Sequence, residues 1–218
     1  MNHLKYFLGI DLDIPNYTEA ADSLRKETMD QNRLFYIFII VCELILAASI
    51  SSLPGGPFLK FRRASYFAAY VSLILASAAV LLFQHLTRKG RFGYQRYFQA
   101  ENFYIAFLSL WAVFISLNDQ LGSNGLTVYT YAILSIALLS IMKPWQTAVI
   151  ILGSCALLNL FLPYLPDPSG LDHSYNNLMN SLVVSLIAIA TASSLFGFRI
   201  RAKSNELIIK NQLVQAEK

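Results

Sequence analysis

Charged residues are scarce in this chain: Asp, Glu, Lys and Arg make up 14% of its 218 residues, whereas 56% are hydrophobic. Soluble domains carry about 25% charged residues, and the mean hydropathy here is +0.48. This composition excludes an ordinary soluble domain and predicts an integral membrane protein. The net charge of +4 comes from basic residues scattered among hydrophobic segments. They are expected to set topology, and no nucleic-acid partner is predicted.

Residues that commonly carry chemistry are also few. The chain has 2 Cys and 3 His. Both cysteines lie in apolar runs, where they behave as small hydrophobes and imply no disulfide framework. The sequence contains no Gly-rich phosphate loop, His/Glu zinc motif or nucleophile elbow. We therefore predict no catalytic residue, metal ligand or cofactor.

Six apolar runs follow one another, each near the length of about 20 residues that a bilayer core requires. They cover residues 34–53, 64–86, 99–117, 126–142, 146–165 and 178–199. We predict an all-α membrane protein whose residues 32–199 form a bundle of six transmembrane helices. Residues 1–31 are expected to form an amphipathic cytoplasmic segment, and residues 200–218 a short signalling helix. A Pro turn at 143–146 predicts that the fourth and fifth spans are an antiparallel pair.

The basic residues predict the orientation. If the N-terminus is cytoplasmic, all of the 17 Lys and Arg residues fall inside except Lys60, Arg62 and Arg63. This distribution agrees with the positive-inside bias and places both termini in the cytoplasm. The charge of the first outer loop has no explanation beyond anchoring at the interface.

Ionisable and amide groups inside the spans are the candidate ligand contacts, because burying them in hydrocarbon costs several kcal/mol. Glu43 lies in the middle of the first span. It is either a ligand, ion or proton site, or a protonated carboxyl that bonds to a neighbouring helix. Glu101 and Asn102 are interpreted as residues at a helix start, where the dipole favours a carboxylate.

A polar and aromatic cluster at the outer ends of the spans is the predicted ligand pocket. An interfacial aromatic belt with helix caps is the alternative. With Glu43, the predicted ligand-binding residues are Trp111, Asn118, Asp119, Tyr131, Asn159 and Asn180.

The last span runs without a Pro into a polar continuation. Ile200, Ser204, Leu207, Asn211 and Val214 keep the alternating spacing of a coiled coil, with Asn211 at a core position that can fix register and favour a dimer. A second, overlapping apolar stripe leaves the register ambiguous, which suits a switch between two packings. An amphipathic tail lying on the membrane is the alternative.

The layout resembles the six-span sensor regions of bacterial signalling proteins. The resemblance is carried by 30–33 before the first span, the basic loop 87–91, and 199–206 at the start of the coiled coil. It implies a multi-pass protein of the bacterial cytoplasmic (inner) membrane, and a cytoplasmic output domain attached to the last helix. That domain is expected to be a diguanylate cyclase (GGDEF) or, second, a histidine kinase.

The leading hypothesis is therefore a membrane sensory module without activity of its own. Its expected partners are membrane lipid, an unidentified small or lipophilic ligand, a second copy bound through the C-terminal helix, and the output domain. The alternative is a small transporter or channel that uses Glu43 as an ion or proton site.

Overall fold

The computed structural model describes residues 14–121, 125–140, 142–165 and 174–216. In these ranges the chain forms α-helices and one short 3-10 helix, and no strand. The prediction of an all-α protein is confirmed. The α-helices are α1 Tyr17–Ser51, α2 Phe61–Arg88, α3 Tyr94–Gln120, α4 Thr127–Leu139, α5 Pro144–Phe161 and α6 Ser174–Ala216, and the 3-10 helix Leu162–Tyr164 follows α5.

Five of the described helices are long and apolar enough to cross a membrane: α1, α2, α3, α5 with its 3-10 turn, and α6. This finding is consistent with a multi-pass membrane protein. The predicted span 126–142 contains only α4, which has 13 residues. Such a helix is about 20 Å long, whereas the hydrocarbon core is about 30 Å thick.

Successive helices run in opposite directions. One end of the bundle, which we call the basal end, holds Tyr17 of α1 and Ala216 of α6; the distal end holds Ser51 and Gln120. At the distal turn between α1 and α2, Gly55 and Gly56 have φ angles of 82° and 68°. Residues with a Cβ rarely adopt such angles, so the glycines permit this tight reversal.

Two helices extend beyond the predicted spans at the basal end. Helix α1 begins at Tyr17, so the amphipathic segment and the first span form one helix of 35 residues without a break near residue 31. Helix α6 passes the predicted boundary at residue 199 and continues to Ala216, over 43 residues. Residues 1–13 and 217–218 of the predicted terminal segments lie outside the described residues.

Helix α6 is central to the packing and contacts α1, α4 and α5. Small residues on α6, including Ser181, Ser185 and Ala188, are fully buried. Small side chains let helix backbones approach closely, as is common in membrane bundles. Helices α4 and α5 pack more extensively on α6 than on each other, although they follow one another in the chain.

Candidate functional site

Three side chains converge on one carboxylate near the basal end. Glu101 Oε1 of α3 accepts hydrogen bonds from Asn32 Nδ2 at 2.7 Å, Tyr36 OH at 2.8 Å and Tyr97 OH at 3.3 Å. Asn32 and Tyr36 are four residues apart on α1, and Tyr97 and Glu101 are four apart on α3, so each pair lies on one helix face. All three donors are buried. We call these four residues the Glu101 network.

The network continues into α2 through an aromatic contact. The Tyr36 and Tyr104 rings meet edge to face with centroids 5.1 Å apart, and the Tyr104 hydroxyl lies 3.0 Å from Ser77 Oγ of α2. Buried donors are costly unless they find an acceptor, and the half-buried Glu101 side chain accepts from all three. The network therefore connects α1, α2 and α3 at a fixed register.

The interpretation of Glu101 as a residue at a helix start is wrong. Helix α3 begins at Tyr94, so Glu101 lies two turns inside it. The helix dipole favours carboxylates only in the first turn, so it does not stabilise Glu101. The hydrogen bonds of the network stabilise the Glu101 side chain instead.

A small cavity adjoins the Glu101 network. The centre of a water molecule can occupy about 40 Å³ of this cavity, and much of the cavity wall is polar. A second, mainly apolar cavity of about 20 Å³ lies beside Tyr36 and Tyr104. Each has room for water but not for a larger ligand. The polar residues around the first cavity are Arg25, Thr28, Glu101, Asn102 and Gln146.

The basal extensions of α1 and α6 pack against each other. Leu24 of α1 forms a buried cluster with Phe196 and Ile200 of α6. Ser204 Oγ donates to the Pro15 carbonyl at 2.6 Å. We call this contact between Pro15–Glu27 and Phe196–Ser204 the clasp.

Electrostatic contacts close the outer side of the clasp. Lys203 Nζ lies 2.8 Å from Glu206 Oε2 and 3.0 Å from Glu27 Oε2. The hydrogen bond to Glu206 and, to a lesser extent, the one to Glu27 raise the pKa of Lys203 above its ordinary value. Lys203 lies beyond the apolar part of α6, and both carboxylates are largely exposed, so these ion pairs are weak individually and screened by salt.

The predicted coiled-coil seam is divided by the clasp. Ile200 and Ser204 are each 1% exposed because they face α1 of the same chain. Leu207 is half-buried, and Asn211 and Val214 are exposed. Within the described residues, the part of the seam that is open to a second copy therefore begins near Leu207.

Three predicted ligand-binding residues lie in the distal half of α3, where they join it to α2. Trp111 Nε1 donates to the Ala69 carbonyl at 3.0 Å. Asn118 Nδ2 donates to Ser65 Oγ at 2.9 Å, and the Tyr66 hydroxyl donates to Asp119. Their polar atoms thus serve contacts between helices.

The other predicted ligand-binding residues are dispersed. Asn159 Nδ2 of α5 donates to Ser181 Oγ of α6 at 2.8 Å. Tyr131 is 67% exposed on the outside of α4, and Asn180 is exposed on α6. Glu43 is buried on α1, where its Oε2 has no hydrogen-bond partner among the described residues. None of these residues lines the two cavities beside the Glu101 network.

Sequence reasoning missed the Glu101 network and the clasp. A signal for the network exists, because Asn32 with Tyr36 and Tyr97 with Glu101 are polar pairs at helical spacing that border apolar runs. A second polar contact was also missed: the Tyr129 hydroxyl of α4 lies 3.1 Å from Ser185 Oγ of α6. No group of three or more His, Cys, Asp or Glu in the described part of the chain could hold a metal ion.

No protein-family model, no curated protein and no solved structure matches this chain. Its function is therefore inferred from the geometry of the helices and from the side chains that join them.

Proposed function

We propose that this protein is a membrane-embedded sensory module with six spans and both ends of the described chain in the cytoplasm. In this proposal it senses an extracellular or membrane-soluble ligand and transmits the signal through α6 to a cytoplasmic output domain. The observation that supports it best is α6 itself, an unbroken helix of 43 residues that begins inside the bundle and leaves it at the clasp.

Two polar contacts connect the interior of the bundle to α6. Asn159 of α5 bonds to Ser181, and Tyr129 of α4 lies within hydrogen-bond distance of Ser185, one turn further along α6. A ligand that alters either contact changes the packing of α6. It shifts the equilibrium only by the difference between its affinities for the two arrangements.

The distribution of charge supports the orientation. Basic side chains of α1, α2 and α6, including Arg33, Arg88 and Arg199, lie at the basal end. The positive-inside rule assigns such an end to the cytoplasm. In this orientation the clasp and the open part of the seam meet the cytoplasm.

The resemblance in layout supports a diguanylate cyclase as the output, with a histidine kinase as the second choice. Both would be controlled through a homodimer. Leu207, Asn211 and Val214 form the available seam, with Asn211 setting register.

A phase experiment tests the proposal. The full chain is fused after Lys218 to a dimerisation-dependent output, and one to four alanines are inserted after Glu206. Each alanine rotates the following helix by about 100°, so output should vary with insertion length and recover best with four. The same insertions after Gly56, in the distal turn, should leave output unchanged. Output that ignores insertion length after Glu206 would contradict signalling through α6.

Glu43 supports a second candidate, a small transporter or channel. A buried carboxyl with an unpartnered oxygen in an apolar helix is a typical proton or ion site. Flux of protons or sodium into liposomes that contain the protein, abolished by Glu43→Gln and kept by Glu206→Gln, would favour this candidate. No flux above empty liposomes would exclude it for those ions.

A further inference from the structure

A third cavity lies between α1 and α2 at the basal end, and none of its lining residues belongs to the Glu101 network or the clasp. The centre of a water molecule can occupy about 160 Å³ of it. On the same measure the two cavities beside the Glu101 network have about 40 and 20 Å³, so this cavity is the largest of the three. Its lining residues are Arg33, Ile37, Leu81, Gln84, His85 and Arg88.

The cavity has a basic mouth and an apolar floor. Ile37 lies one turn beyond Arg33 on α1, and Leu81 lies one turn before His85 on α2, which runs in the opposite direction. Each apolar residue is therefore about 6 Å deeper in the bundle than its basic neighbour. This polarity matches a molecule with an anionic head and an apolar tail.

Buried and charged contacts hold the mouth in place. The Gln84 side chain is buried and donates to the Met29 carbonyl, and the Arg88 guanidinium pairs with Asp30. A guanidinium carries five N–H donors, so Arg88 keeps others for a ligand. Arg33 forms no ion pair or hydrogen bond with the described residues. Two guanidinium groups beside one carboxylate leave a net positive charge.

The floor opens toward the outside of the bundle. Ile37 is 40% exposed, and its neighbours Leu34 and Phe38 on α1 are exposed. In a bilayer these side chains contact acyl chains, so a lipid can place its head in the mouth without leaving the membrane. A free phosphate ion gains nothing from the apolar floor.

We propose that this cavity binds the phosphate head of an anionic phospholipid. Arg33 and Arg88 contact the phosphate oxygens, His85 lies beside them, and one acyl chain follows Ile37 and Leu81. Basic pockets between membrane helices are known to select anionic lipid heads in this way. The site needs neither α6 nor Glu43, so it is independent of the signalling and transport proposals.

Native mass spectrometry of the full chain in detergent tests the site, with phosphatidylglycerol and phosphatidylcholine as probes. Phosphatidylglycerol should bind at least several-fold more tightly, and Arg33→Gln with Arg88→Gln should reduce its affinity by about tenfold or more. Arg91→Gln removes an exposed charge on the same end but outside the cavity, and should have little effect. Equal binding of both lipids, or equal losses for Arg91→Gln and the double variant, would overturn the site.

Two further arms distinguish lipid in the cavity from lipid held by surface charge and from a soluble phosphate. Ile37→Trp fills the floor of the cavity and keeps every charge, so it should also weaken phosphatidylglycerol binding. Unchanged binding would mean that surface charge alone attracts the lipid, and it would reject the cavity as the binding site. Inorganic phosphate in large excess should not displace the lipid. Displacement would reassign the site to a soluble phosphate. Thermal melting of each variant confirms that the bundle is intact, and Ile37→Trp provides the test if the double variant does not fold.

Discussion

The two ends of the bundle are held together by different chemistry. At the basal end, carboxylates join elements far apart in sequence: Glu101 binds α1, Asp30 pairs with Arg88, and Glu27 pairs with Lys203. Toward the distal end, amides and hydroxyls dominate, as in the contacts of Asn118 with Ser65 and Asn159 with Ser181, although the Asp119 carboxylate also accepts a hydrogen bond from Tyr66.

This difference has a physical consequence. Contacts between charged groups change with salt, pH and neighbouring charge, whereas neutral hydrogen bonds do so much less. In the sensor that we propose, this division would keep the bundle stable inside the bilayer and leave its basal end adjustable. The basal end is therefore where small perturbations should change structure.

The largest effect is expected at the Glu101 network. Glu101→Leu leaves three buried donors without their acceptor and should lower the free energy of unfolding by about 3 kcal/mol or more. Glu101→Gln keeps an acceptor oxygen and should cost about 1 kcal/mol. Titration with a denaturing detergent measures both. Asn102→Leu, at the neighbouring position, is the control, and an equal loss there would mean that the network adds no stability.

A smaller and more local effect is expected at the clasp. Ile200→Ala removes buried volume between α6 and α1, and because this cluster is small and can partly collapse, the change should cost about 2 kcal/mol, the low end for such substitutions. The loss should fall on the extensions, because the clasp is separate from the main core. Hydrogen exchange should accelerate in 17–28 and 200–207 and remain slow in α3. Val214→Ala, on the exposed part of α6, is the matched control; uniform acceleration along the chain would contradict a separate clasp.

The neutral contacts should be less costly to remove. Tyr129→Phe deletes the hydroxyl near Ser185 and should reduce stability by about 0.6 kcal/mol, the average for such bonds between membrane helices. Its effect should not depend on salt. Tyr131→Phe, on the exposed side of α4, is the control in the same detergent titration. A loss for Tyr129→Phe as large as that for Glu101→Leu would remove the contrast between the ends.

The smallest effect is expected at the outer ion pair. Glu27→Gln should cost at most about 0.5 kcal/mol, and high salt should abolish the difference from the natural protein. The pKa of Lys203 is higher in the folded protein than in the unfolded chain. The stability that the ion pairs of Lys203 contribute is therefore complete below the ordinary Lys pKa, and it is lost as the pH rises through the higher pKa of the folded state. Unfolding at neutral pH in low and high salt measures it. A salt-independent loss would show that Glu27 acts through packing.

Composition and apolar run length predicted the helical class and the approximate positions of the long helices, because burial of apolar surface is a local property of the sequence. They assigned the whole of 126–142 to a span, whereas α4 has 13 residues, and they did not predict that the helix of 17–31 would continue without a break into the first span. The helical pattern of 17–31 is polar enough to suggest a separate surface helix, yet Ala20 and Leu24 are buried, and Leu24 packs against α6.

The site was harder to predict because it depends on pairing between helices. Asn118, Asp119 and Asn159 stood out as polar residues in apolar runs, but only the structure shows that neighbouring helices accept from the amide groups of Asn118 and Asn159 and donate to the carboxylate of Asp119. Glu101 was underestimated because its partners on α1 are distant in sequence. Ile200 and Ser204 were assigned to a dimer seam on spacing, and spacing does not distinguish packing within one chain from packing between two.

The position of the clasp along α6 gives the helix the geometry of a lever. Ile200 lies about 40 Å from the start of α6 at Ser174 and about 24 Å from Ala216. If α6 moves as a rigid rod that pivots at Ile200, a sideways displacement inside the membrane produces an opposite and smaller displacement at Ala216. The ratio of the two arms, about 0.6, means that the clasp reduces the distance moved and multiplies the force.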